Sequence, residues 1–384
     1  MNTRDLLLTL LRYAIVGTEI SDDAIKALES GNVATLFKVA KAHDMAHLVS
    51  YAIEKCGASL SEEDSALFSK EMESAILRYE MIRADLDDIC ACFDSEEIDY
   101  IPLKGAVLRE LYPQAWMRTS CDIDVLVRES EIDRAALALV NRLGYKTDFK
   151  KTYHDISLFS PFGMHLELHY NIKENTEGYD KLLTRAWDFS QRSTENKRRY
   201  LQSKEFLMLH LMCHMAYHFV GGGCGLRSVL DAWLLEKNTE LDMALLESFL
   251  SEAGLLKFYQ SIIRLGEYWF GAKDVSDELL SDMELYILLG GVYGTKKQGT
   301  VSKQIKKGGK LRYLLSRIFV PYKELSVLYP VIKKHKILTP FYQVIRWFGV
   351  IFKAKRIRTE LCYVAESDSN SVERAKRLLN ELEL

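Results

Sequence analysis

At 384 residues the chain is long enough for two or three domains and a sizeable core. With 48% hydrophobic and 27% charged residues and a formal net charge of -3, it has an ordinary globular composition, slightly acidic overall. Its seven cysteines are odd in number and are not spaced as in a zinc ribbon, so they read as reduced, buried thiols of a cytoplasmic protein, Cys121 beside Asp122 included. Met1-Asn2-Thr3-Arg4-Asp5 is not a basic region followed by a long apolar run, so no secretory signal is expected.

Scarce proline and frequent leucine predict a mostly helical protein. Residues 1–80 read as helices, with Leu6, Leu7, Leu10, Leu11 and Ala14 on one apolar face. Ser21-Asp22-Asp23 and Ser61-Glu62-Glu63 look like helix starts, with acids in the first turn. A long helical pattern over 65–95 leads into a compact core at about 98–170.

That core carries the chemistry. Ile123, Val125 and Val127 alternate with Asp122, Asp124 and Leu126, so a strand is predicted with both aspartates on one face. Two adjacent carboxylates in mid-strand disfavour folding locally, a departure expected where function requires it. They suit Mg²⁺, a hard cation bound through carboxylates and substrate phosphates. His165-Leu166-Glu167-Leu168-His169 alternates in the same way and puts Glu167 on the face of the two histidines. With 155–160 before it and Pro161-Phe162-Gly163 as the turn, it reads as a hairpin. Laid beside the Asp122–Asp124 strand, the hairpin brings a third carboxylate to the pair, and three can hold one or two metal ions. A helix over about 129–143 ends at Gly144-Tyr145 in the manner of a glycine cap.

After residue 200 helices return. His210, His214 and His218 share one helical face, a stripe to which zinc can bind, although no carboxylate or cysteine completes a familiar spacing. Gly221-Gly222-Gly223-Cys224-Gly225 reads as a connector without a P-loop lysine. Between 296 and 358 lie seventeen Lys and Arg and one acid, Glu324. Three readings compete for this segment: a solvated face, an attractor of an anionic acceptor or nucleic acid, and a peripheral contact with an anionic membrane. The apolar run 337–352, which contains Arg346, is short for a transmembrane helix; a buried core helix is expected, with an interfacial helix as the alternative. A polar linker at 366–370 and an amphipathic helix over 371–384 complete the chain.

Leu103-Lys104-Gly105, Tyr112-Pro113, Arg118 and Asp122-Ile123-Asp124-Val125-Leu126-Val127 together resemble a family of uncharacterised bacterial nucleotidyltransferases within the DNA polymerase β-like superfamily. The resemblance is specific over 98–170 and looser near 205–235. It implies an α+β fold: a small mixed β-sheet nucleotidyltransferase core at 98–200, flanked by an N-terminal helical region at 1–97 and a C-terminal helical domain at 201–384. It also implies Mg²⁺- or Mn²⁺-dependent transfer of a nucleoside monophosphate from an NTP to an acceptor, with Asp122, Asp124 and Glu167 as catalytic metal ligands. Better-known members carry Gly-Ser where this chain has Lys104-Gly105. Gly105 permits close backbone approach, a helix expected over 106–111 offers free N–H groups, and Lys104 and Arg118 add charge for phosphate. The family's His-x3-His, Leu-Arg and following Asp correspond to His214, His218, Leu226-Arg227 and Asp231; the roles expected are packing onto the catalytic sheet, nucleotide contact by His214 or His218, and an internal Arg227–Asp231 pair one helical turn apart.

Three functions are therefore on the table: an active nucleotidyltransferase, a non-catalytic nucleotide-binding or scaffold protein on the same fold, and a metal hydrolase built on the histidine stripe. The superfamily's acceptors favour a saccharide or another small molecule, and nothing in the chain reads as a sequence-specific nucleic-acid module.

Overall fold

The computed structural model describes residues 1–31, 33–174, 176–271, 277–291, 295–351 and 369–384. The chain opens with α1 (Thr3–Val16), α2 (Asp22–Ser30), α3 (Val33–Ala42), α4 (Ala46–Cys56) and the long α5 (Glu62–Ser95). Local chemistry sets these boundaries. Asn2 Oδ1 accepts the Asp5 N–H at 2.9 Å, and Gly17 in the left-handed region closes α1. Ser21 and Ser61 cap α2 and α5. The predicted apolar face of α1 is buried throughout.

β1 (Tyr100–Pro102) leads through α6 (Lys104–Leu108) and a 3-10 turn (Arg109–Leu111) to β2 (Asp122–Val127). α7 (Ile132–Leu143) and the hairpin of β3 (Asp155–Phe159) and β4 (His165–His169) follow. α6 starts two residues earlier than expected and is only five residues long, so Gly105 lies inside its first turn and not before it. The sheet order is β1-β2-β4-β3, with β2 parallel to β4 and the outer pairs antiparallel. Ile123, Val125, Val127, Leu166 and Leu168 form the inner face and pack with Ile89 and Phe93 of α5 and Leu139 of α7. The opposite face carries the acids.

The short α8 (Glu177–Leu183) and the ribbon of β5 (Ser190–Arg192) and β6 (Tyr200–Gln202) lead to α9 (Lys204–Gly221), α10 (Leu226–Asn238), α11 (Met243–Ala253), α12 (Leu256–Phe270) and α13 (Glu278–Leu288). Leucines of α1 and α4 share one hydrophobic core with α9 to α13. Arg4 ties α1 to this group through Glu284 Oε1 and the Tyr268 hydroxyl, each at 2.8 Å.

The described chain ends with α14 (Lys296–Lys306), α15 (Lys310–Ile318), α16 (Tyr322–Leu328), α17 (Val331–Lys334), α18 (Thr339–Ile351) and α19 (Ser369–Glu381). α19 returns Leu378, Leu379 and Leu382 to the large core. The fold is α+β and mostly helical, as expected. The expectation of a buried core helix over 337–352 is corrected: α18 forms there, yet Ile337, Phe341, Val344 and Ile345 are exposed. Among the described residues, α18 contacts the end of α15, α16 and the 3-10 turn before it (Lys336–Leu338). Cys362 and the expected linker up to residue 368 lie outside the described residues. Among the described residues no helix is long and apolar enough to cross a membrane.

Candidate active site

Register builds the site. β2 and β4 pair with Asp124 opposite Glu167 and Asp122 opposite His165. Period-two alternation then sends Asp122 and Asp124 to the same face as His165, Glu167 and His169. His169 joins the acids: its Nε2 lies 3.2 Å from Asp124 Oδ1 and 3.5 Å from Glu167 Oε2. Burial alone would depress the His169 pKa, but hydrogen bonds to the two carboxylates outweigh it and lift the value to about 9. Burial pushes Asp124 up, yet His169 and Lys104 hold it well below the usual carboxylate range. The hydrogen bond from His169 likewise lowers Glu167. Among the described residues no histidine hydrogen bond reaches Asp122, and the charges of His165 and Lys104 only partly hold it down. Burial, then repulsion from Asp124 and Glu167, raises it to about 6.

This face forms one wall of a pocket of about 340 Å³. Lys104, Gly105, Arg118, Asp122, Asp124, Glu167, His214 and His218 all line it, so the fold brings every predicted site residue together. α9 forms the facing wall. His214 Nδ1 lies 2.7 Å from Glu174 Oε1. Burial favours the neutral form of each partner, but His214 pulls Glu174 down to about 2, while burial and Lys104 keep His214 below its ordinary value. The contact is therefore a neutral imidazole donating Nδ1–H to an ionised carboxylate, which leaves Nε2 as an acceptor. Burial and His214 also depress His218, to about 4. Lys104 lines the same pocket, and its charge acts on Asp122, Asp124 and Glu174.

The expected Arg227–Asp231 pair does not form. Arg118 grips Asp231 through Nε and Nη2, each at 2.9 Å, and the Tyr112 hydroxyl donates to the same carboxylate at 2.8 Å. Arg227 reaches Asp44 at 2.8 Å and the Thr119 carbonyl at 2.9 Å. Helical spacing placed Arg227 and Asp231 on one face, but that face meets the 118–119 segment, which supplies better-shaped partners for both. Arg118 thus has two nitrogens committed to Asp231, with Nη1 directed at Gly105. Cys121 is exposed at the pocket and not packed away.

Sequence reasoning gave no role to His169, although its place in the alternation with Glu167 was a signal for it. Glu174 was missed outright; it lies in the irregular stretch after β4, where no periodicity marks it. The histidine stripe is not among the described groups able to hold a metal ion. The groups that are include Asp122–His165–Glu167 and Asp124–Glu167–His169, whose ligand atoms lie within 4.8 Å of one another.

Residues 29–271 match the sequence family described as uncharacterised nucleotidyltransferase, well over half the chain and the whole of the pocket. The chain belongs to this family. No curated protein and no solved structure matches it. As a nucleotidyltransferase it is an enzyme, and its acid cluster is a possible metal site.

One property of the nucleotidyltransferase pocket is open to a small test. A Cβ built on Gly105 would lie 3.4 Å from Arg118 Nη1 and 3.6 Å from Ser120 Oγ, so alanine fits the fold but fills space at the Lys104 turn. Gly105→Ala is expected to leave the melting temperature within about 2 °C of wild type and to weaken nucleotide binding roughly tenfold. Calorimetric titration checks this, and unchanged binding would remove Gly105 from the nucleotide site.

Proposed function

We propose that the enzyme transfers a nucleoside monophosphate from an NTP to a hydroxyl-bearing acceptor, releasing pyrophosphate, with Mg²⁺ or Mn²⁺ as cofactor. The observation that carries this reading is the trio Asp122, Asp124 and Glu167 on one sheet face, with Lys104 and the Gly105 turn across the same pocket. The donors fit a hard cation. They are rich in carboxylate oxygen, and the burial and then the repulsion that raise Asp122 are what a bound cation would offset. When bound, such an ion neutralises phosphate charge and activates the attacking hydroxyl.

The chain's own groups have distinct tasks. Asp122, Asp124 and Glu167 would hold the ion. Lys104 and the first-turn N–H groups of α6 steady the leaving pyrophosphate, and Arg118 Nη1 adds charge at Gly105. Glu167 or Asp124 takes the acceptor's proton. His214 and His218 contact the nucleotide, with Glu174 fixing the His214 tautomer. A saccharide or another small molecule is the acceptor class favoured by family analogy.

A thermal-shift panel of ATP, GTP, CTP and UTP with and without Mg²⁺ tests this reading. At least one NTP is expected to stabilise the protein only with the metal present. Asp122 must lose its proton to bind the ion, and its pKa near 6 sets the window. Below that pH the Mg²⁺ concentration needed should rise about tenfold per unit, and it should go on falling more gently up to about pH 9, where His169 loses the proton it shares with Asp124 and Glu167. No metal-dependent shift with any NTP would sink the proposal.

A further inference from the structure

Of the twenty-five large apolar side chains exposed among the described residues, ten lie between 311 and 345. Their arrangement is inverted relative to an ordinary globular helix. On α15, Leu311, Leu315 and Ile318 share one face and are exposed, Leu311 by 71%, while Tyr313 on the opposite face is buried. On α18, Gln343, Arg346 and Trp347 share the inward face, and all three donate to the Ile318 carbonyl. Phe341, Val344 and Ile345 are left exposed on the other face, Phe341 by 61%. Both helices thus spend polar and aromatic contacts on each other and turn apolar stripes outward.

The charge around these stripes selects what covers them. Eight Lys and Arg and the single acid Glu324 lie between 310 and 346, in a chain whose net charge is -3. A nucleic acid answers the charge but not the apolar stripes. An apolar protein surface answers the stripes but not the charge. An anionic lipid surface answers both, since headgroups attract the cations and the acyl boundary takes the apolar face. We infer that the segment from α15 to α18 docks the enzyme, without crossing, on an anionic membrane surface.

Co-sedimentation of the full chain with vesicles tests this, using phosphatidylcholine alone and an equal mixture of phosphatidylcholine and phosphatidylglycerol. Binding is expected to the mixed vesicles only, and it should weaken as salt rises. Leu311→Ser/Leu315→Ser/Phe341→Ser should reduce it by more than about tenfold, because apolar burial is lost with the charges intact. These side chains are exposed, so circular dichroism should match wild type. Failure of wild type to pellet with anionic vesicles would overturn the inference. So would a triple variant that pellets as well as wild type, or tight RNA binding with no vesicle binding.

Discussion

Replacing Asp122 or Asp124 with Asn is expected to cut nucleotidyl transfer by roughly a thousandfold, since a metal-held phosphate charge contributes several kcal/mol to the transition state. The two variants should nevertheless part company in stability. Asp122 has a folded pKa raised to about 6 from 3.8, so its ionisation at neutral pH opposes folding. That group's contribution is fully present below the unfolded pKa and is lost as pH rises through the folded one. Asp122→Asn in EDTA should therefore gain roughly 1 kcal/mol, a degree or two in melting temperature. Asp124 has the opposite sign. Its pKa is lowered against His169, so its contribution is present above the unfolded pKa and is lost as pH falls through the folded one. Asp124→Asn should cost roughly 1–3 kcal/mol at pH 7. Steady-state rates beside denaturation curves in EDTA check both halves. Full activity in either variant would end the metal-ligand assignment, and equal stability shifts would contradict the electrostatics of the cluster.

The second large effect lies behind the pocket. Arg118 and Asp231 have side chains only 8% and 3% exposed and meet through two parallel hydrogen bonds. Arg118→Ala strands a buried carboxylate with the Tyr112 hydroxyl as its remaining hydrogen-bond donor among the described residues, so a loss of about 3–5 kcal/mol is expected. Arg118→Lys should not rescue it, because a point charge cannot reproduce the forked contact. Arg118→Met/Asp231→Leu should recover most of the stability, since two apolar groups of similar volume leave no unpaired charge. NTP affinity should stay low in that double variant if Nη1 serves phosphate. Chemical denaturation of the three proteins decides the matter, and single-variant losses below about 1 kcal/mol would show the pair to be incidental.

Legibility in the sequence followed the range of the interactions. The acid trio was readable because alternation is local and a two-residue period fixes the face of each side chain. Helix starts at Ser21 and Ser61 were readable for the same reason. Arg118–Asp231, Arg227–Asp44 and Glu174–His214 join residues 113, 183 and 40 positions apart, and no periodicity encodes such meetings. The Arg227–Asp231 expectation shows the limit plainly: spacing says that two side chains share a face, not that they choose each other. α18 shows a second limit. Amphipathicity divides a helix into two faces, but which one turns inward depends on what arrives to cover it.

The bond from Arg4 to Glu284 spans 280 positions, and it has a consequence for synthesis. At roughly 5–20 residues per second, α1 waits about 15–60 seconds on the ribosome before α13 emerges to meet it. Throughout that interval its leucine face has no partner from α12 or α13. A nascent chain that stalls before residue 256 has α3 and α4 against α1 but not α12, so the strip of α1 that α12 covers stays open to water, and slow translation through the middle of the message prolongs that exposure.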